Sequence, residues 1–291
     1  MKQKVRKAVI LVAGFGTRFL PATKAIPKEM LPIYDAPALQ YVVEELVEAG
    51  VTEIVFVTGR SKRAIEDHFD ANAELEMALL QSRKHETLKQ VRRAANLAHF
   101  IYVRQPQPPR GTGDATLAAQ PAVGDEPFFL LYPDELLFGK ENSFRQMIDA
   151  YEEYQAPIVS VYRVPRKDVS KYGIIDNRHI RGRIHEVARI IEKPTVKSAP
   201  STLAVTRGFI LTPSIFPLLS KIRNRKGEYF LTDAIELYNK KHSVFAVELR
   251  GDRFDVGSKL GWLLSNVYVS LRHKDVQKPF RRYLQQQLER T

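Results

Sequence analysis

Residues 8–32 read AVILVAGFGTRFLPATKAIPKEMLP, an apolar run that passes without a break into glycines, an arginine and lysines spaced by prolines. The run 8–13 has the continuous apolarity of a strand buried on both faces. Gly14 and Gly16 form a G-x-G, but Phe19 stands where a dinucleotide fingerprint needs a third small residue, and prolines interrupt the helix that should follow. The Walker pattern is also absent. Spacing alone leaves two readings open, a phosphate cradle or a tight turn after a strand. Arg18, Lys24 and Lys28 favour the cradle. Glycines let backbone N–H groups approach phosphate, arginine offers a bidentate fork and lysine a point charge.

Outward from this segment, strand and helix patterns alternate. Residues 37–50 predict a helix stopped by Gly50, 53–57 a strand, 60–69 a helix and 73–97 one or two charged helices; 100–103 and 128–132 are strands on either side of a Pro/Gly loop, 105–113, and a short helix, 115–119. A helix at 143–154 and a strand at 158–162 continue the series. The alternation predicts an α/β fold with a mixed, mainly parallel sheet. Past residue 165 the pattern turns β-rich, with strands at 172–176, 184–192, 206–211 and 243–248 and helices near Ile215 and Asp233. No linker or repeat divides the chain. A single domain over 1–291 is expected, with a core of about 5–258 and a C-terminal helical arm from 259.

The 291 residues are 44% hydrophobic and 27% charged, as in ordinary globular proteins, and no stretch reaches membrane-spanning length. The absence of cysteine excludes disulfides and thiolate metal sites. The basic residues 1–7 precede a short apolar run without a cleavage site, so a secretory signal is not indicated and a cytoplasmic location is expected. The net charge of +12 suits nucleic acid, an acidic surface or small anions. It is scattered over clusters such as 60–63, 163–167, 178–183 and 221–226, which read as solvated faces. With no nucleic-acid motif, nucleic acid is an unlikely partner.

Two carboxylates stand out. Asp134 follows Pro133 at the end of strand 128–132, where ligands gather in open α/β sheets, although an ordinary Pro-Asp turn has the same spelling. Asp255, in RFDVGS, could share one Mg²⁺ with it, but nothing local shows that the two meet. Glu192 and Lys193 close the strand IIEKP and are either substrate-facing or a solvated pair. The histidines form no H-E-x-x-H cluster and no serine lies in G-x-S-x-G.

The stretches 13–50, GDEPFFLLYPDELL (124–137), KYGIID (171–176), IIEKP (190–194), ILTPSIF (210–216), GEYFLTDAIE (227–236) and FDVGSKLGWL (254–263) occur together and in order. In them the chain resembles the bacterial UTP–glucose-1-phosphate uridylyltransferases (UDP-glucose pyrophosphorylases) of the sugar nucleotidyltransferases. The resemblance implies a Rossmann-like nucleotidyltransferase fold that makes UDP-glucose and pyrophosphate from UTP and glucose 1-phosphate. It implies that Ala13, Gly14, Gly16 and Thr17 hold the nucleotide, with Gln105 and Gly113 at the uracil end. Arg18 and Lys28 would serve the reacting phosphates, Gly173, Glu192 and Lys193 the sugar phosphate, and Asp134 and Asp255 Mg²⁺. Other sugar-1-phosphate nucleotidyltransferases, thymidylyltransferases among them, and a catalytically weak UDP-sugar sensor are the alternatives. A homo-oligomer, dimer or tetramer, is expected, and LGWLLSNVYVSL (260–271) is a candidate helix for packing on a partner. The chain departs from the family's usual wording at GTGDAT (111–116), where Asp114 stands in place of a histidine and adds negative charge, at the preceding PQPPR, and at TRGFILTP (206–213).

Overall fold

The computed structural model describes residues 3–224 and 227–290. β1 (Lys7–Leu11) leads through the glycine segment to a two-residue hairpin, β2 (Pro32–Ile33) and β3 (Ala36–Pro37), and then α1 (Ala38–Glu48). β4 (Glu53–Thr58), α2 (Arg63–Phe69), α3 (Ala73–Gln81), α4 (His85–Ala95) and β5 (His99–Arg104) follow. Next come α5 (Thr112–Ala118), α6 (Gln120–Val123), β6 (Phe128–Leu131), β7 (Glu135–Phe138), α7 (Ser143–Tyr154) and β8 (Ile158–Arg163). The second half supplies β9 (Gly173–Arg181), β10 (Ile184–Glu192), β11 (Leu203–Leu211), α8 (Phe216–Leu219) and α9 (Leu231–Asn239). β12 (Phe245–Glu248), β13 (Asp252–Asp255), α10 (Lys259–Ser270) and α11 (Gln277–Leu288) complete it.

Nine strands form one sheet in the order β5-β4-β1-β6-β11-β8-β12-β10-β9. Its first four strands are parallel, which requires helices on both faces and explains why Ala8, Val9 and Ile10 are wholly buried. Leu39 and Leu46 of α1, Phe69 of α2 and Met147 of α7 cover one face. Ala115 of α5, Leu219 of α8 and Ile235 of α9 cover the other. The sheet is mixed and mainly parallel, as expected, with seven of its nine strands running one way. β11, from the β-rich half, wedges antiparallel between β6 and β8, and β10 runs antiparallel to β12 and β9. Tight packing at the wedge demands a glycine, because a Cβ on Gly208 would sit 1.9 Å from the Leu130 carbonyl oxygen.

Local details refine the sequence reading. The segment 14–32 forms three single 3₁₀ turns, at Thr17–Phe19, Ala22–Lys24 and Lys28–Met30. The stretch 73–97, expected as one or two helices, is two, divided at Arg83, whose φ of 55° ends the first. β7 and β13 were not expected, and they pair antiparallel with Asp255 opposite Glu135. α10 docks onto the front of the chain. The Trp262 indole donates to the Pro32 carbonyl at 3.0 Å, and the Tyr34 N–H donates to Asn266 at 2.9 Å.

Candidate active site

The sheet's register builds the site. β1 and β6 are parallel neighbours with Ile10 level with Leu131, so Ala13 and Asp134, three residues further on, leave the sheet side by side at its carboxyl edge. β4 and β5 deliver Gly59 and the loop 105–111 to the same edge. Gly16 takes a left-handed φ of 66°, which favours glycine, and the Thr23 hydroxyl donates to its carbonyl at 2.7 Å. This fold-back carries Lys28 over the end of β6, where its Nζ donates to Asp134 Oδ2 at 2.8 Å.

Asp255 arrives from the far end of the chain through the β7–β13 ladder. It and Asp134 flank Gly257, where a Cβ would lie 2.8 Å from Asp134 Oδ2 and 3.1 Å from Asp255 Oδ1. The Gly257 N–H donates to Asp255 Oδ1 at 3.0 Å, and Arg18 Nη1 donates to the Gly257 carbonyl at 3.3 Å. Burial works to lower the Lys28 pKa, but the charges of Asp134 and Glu29 raise it overall. Burial likewise works to raise the Asp134 pKa, and the Lys28 charge and hydrogen bond bring it down overall. Each therefore keeps the other ionised at neutral pH.

Two clefts lie along this edge of the sheet. One, of about 380 Å³, is lined by Ala13, Gly14, Thr17, Lys24, Gln107 and Pro109, among others. The second, of about 730 Å³, is lined by Arg18, Asp134, Asp255, Gly173, Glu192 and Lys193, together with residues absent from the sequence reading. Gly173 faces Glu192 across the β9–β10 ladder, and a Cβ there would lie 3.2 Å from the Glu192 carboxylate. Lys193 leaves the strand with a φ of 46°. Among the described residues, Gln105 and Gly113 line neither cleft. Gln105 is buried, and the Gly113 N–H donates to the Tyr229 carbonyl at 2.8 Å.

Several groups that sequence reasoning missed support this centre. Glu135, beside Asp134, is gripped by both Arg253 nitrogens of its fork, and burial pushes its pKa up to about 7. Buried Arg207 has a φ of 47°, donates to the Glu135 carbonyl at 2.8 Å and pairs with Glu45. Only the glycine after Arg207 hinted at the irregular backbone. The cluster 60–63 is not wholly a solvated face, because Lys62 is buried and its Nζ lies 2.8 Å from the buried Glu29. A buried carboxylate requires such a partner. Arg163, Arg178 and Arg181 are exposed, as expected, while Arg225 and Lys226 of the cluster 221–226 lie outside the described residues. Asp114 adds no bare charge, since Arg110 Nη2 meets it at 2.8 Å. That i,i+4 spacing was visible in the sequence.

The chain is similar over nearly its whole length to known proteins. The chain is 45% identical over 291 residues to a UTP–glucose-1-phosphate uridylyltransferase of Bacillus subtilis strain 168, covering all of this chain and 98% of the relative. A UTP-bound UGPase of Acinetobacter baumannii superposes with a TM-score of 0.90 at 39% identity, over 96% of this chain and 98% of that one. A UDP-glucose pyrophosphorylase complexed with UDP-glucose gives 0.84 at 38%, over 92% and 100%. The family model for nucleotidyl transferases matches residues 7–263, and the chain belongs to that family.

Proposed function

We propose that this protein condenses UTP with glucose 1-phosphate to give UDP-glucose and pyrophosphate, acting as one catalytic domain. The observation that carries the reading is the meeting of Lys28, Asp134 and Asp255 beside the larger cleft, which both carboxylates line. The smaller cleft, walled by the glycine turn, takes the nucleotide, with Gln105 and Gly113 behind its uracil end. The larger takes the sugar phosphate, with Glu192 on a sugar hydroxyl and Lys193 on the phosphate. A phosphate oxygen of glucose 1-phosphate attacks the α-phosphorus of UTP, and the bond from that phosphorus to pyrophosphate breaks. The attacking oxygen is already ionised, so the site needs alignment and charge neutralisation rather than a strong base. Lys28 and Arg18 supply positive charge to the transferred group and the leaving pyrophosphate.

The donor set suits Mg²⁺. Among the described residues no cluster of three or more His, Cys, Asp or Glu side chains exists. Two carboxylate donors, Asp134 and Asp255, are what a cation that keeps water and phosphate ligands requires. Bound there, Mg²⁺ would neutralise phosphate charge. No helix among the described residues is long and apolar enough to cross a membrane, and these substrates fit a cytoplasmic site of action. A homo-oligomer fits the exposure of Leu260, Leu263 and Leu264 on α10.

The test is pyrophosphate release from UTP and glucose 1-phosphate with Mg²⁺. Turnover is expected. Silence with UTP and turnover with dTTP would move the assignment to thymidylyl transfer.

A further inference from the structure

One segment walls both clefts. Gln107 and Pro109 face the smaller, and Thr112 faces the larger beside Glu228, Phe230 and Thr232. The chain crosses from one cleft to the other at Arg110–Gly111, and the crossing is stapled to residues 229–231. The Tyr229 N–H donates to the Arg110 carbonyl at 2.7 Å, and the Gly113 N–H returns a bond to the Tyr229 carbonyl at 2.8 Å. The Leu231 N–H donates to the Thr112 hydroxyl at 3.2 Å. Gly111 has a φ of 98°, and a Cβ there would lie 2.7 Å from the Tyr229 carbonyl oxygen, so the two backbones touch.

The side chains complete the staple. Asp114 is 8% exposed, a burial that a carboxylate does not sustain alone. The half-exposed Arg110 meets it with two nitrogens, Nη2 at 2.8 Å and Nε at 3.4 Å, and lays its guanidinium 5.6 Å from the centre of the Tyr229 ring. The fork therefore links the first turn of α5 to the same tyrosine whose backbone holds the crossing.

We infer that Arg110 is a positioning residue for both substrates, its fork locking the wall shared by the two clefts through Asp114 and Tyr229. Arg110 lines neither cleft and acts only through the segment it holds. Without it the buried carboxylate loses its partner, the crossing loosens, and Gln107 and Thr112 are displaced together. The pair's effect then appears in the affinity for both substrates, not in the chemical step.

The inference rests on the proposed reaction, and the experiment separates the two. Steady-state constants for UTP and glucose 1-phosphate are measured for wild type, Arg110→Ala, Asp114→Asn, the double variant and Arg110→Lys, with thermal midpoints alongside. Arg110→Ala is expected to raise both KM values by about fivefold to tenfold, as for a coupled pair, with kcat within about threefold. The double variant should be no worse than the worse single, because the two residues act as one unit, and Arg110→Lys should recover part of the loss. A KM change for one substrate alone, additive single effects, a fall in kcat alone or unchanged constants would each overturn the inference while leaving the reaction standing. An inactive wild type would instead remove the reaction, and this inference with it.

Discussion

Replacing Lys62 by methionine tests the buried ion pair behind the glycine segment. Lys62 and Glu29 have side chains only 7% and 1% exposed; Lys62 donates to Glu29 Oε2, and Glu29 Oε1 has no hydrogen-bond partner. Lys62→Met therefore leaves a carboxylate in an apolar site, at a cost of about 3–5 kcal/mol for a broken buried pair. For a chain of this size that is a fall of roughly 6–15 °C in the thermal midpoint. The sign with pH is also fixed. Burial raises the Glu29 pKa, and Lys62, then Lys28, pull it only part of the way back. An acid with a raised folded pKa has no effect on stability below its unfolded value, because both states are then protonated. As pH climbs through the folded pKa, the unfolded state ionises first and stability is lost. Removing Lys62 takes away the larger opposing charge and deepens that loss. Differential scanning calorimetry should show the Lys62→Met deficit largest near pH 8 and shrinking toward pH 5. Lys62→Met with Glu29→Leu should recover most of it. A deficit under about 1 kcal/mol, one independent of pH, or a double variant no better than the single would refute the reasoning.

Other consequences are equally direct. Gly208→Ala places a Cβ 1.9 Å from the Leu130 carbonyl at the β6–β11 ladder, so soluble yield on expression should collapse. Gly14→Ala meets nothing within 4 Å and should express normally. The Arg6 hydrogen bond, helped by Lys7, holds Glu126 down at about 2. Its contribution should thus be present above about 4.5 and lost as pH falls toward about 2, and Glu126→Gln should flatten acid unfolding in that window. Leu263→Glu with Leu264→Glu should reduce the mass seen by light scattering if α10 packs on a second copy, as its 52% and 50% exposed side chains suggest.

The sequence reading was strongest where local pattern and global structure coincide. The run 8–13 and the strand 128–132 are apolar because parallel strands are covered on both faces, and their ends carry Gly14 and Asp134 to one edge. Asp255 was legible as a residue but not as a neighbour. β7 and β13 are four residues each and carry charges at Glu135, Asp252 and Arg253, so neither shows a clear two-residue period, and their pairing joins distant parts of the chain. Lys62, Arg207 and Glu29 escaped notice because charged side chains are rarely buried without a partner that only the fold reveals. The place of β11 in the sheet escaped because nothing in residues 203–211 announces that they insert beside β6.

In the proposed reaction Lys28, held at 2.8 Å from Asp134, neutralises the phosphates as the pyrophosphate leaves. Single-turnover rates for Lys28→Ala at saturating UTP and glucose 1-phosphate test it most directly. A loss of about 10²–10³ in rate, the cost of removing one charge-stabilising donor, with thermal stability retained, is the predicted result. A folded Lys28→Ala protein that turns over like wild type would contradict it.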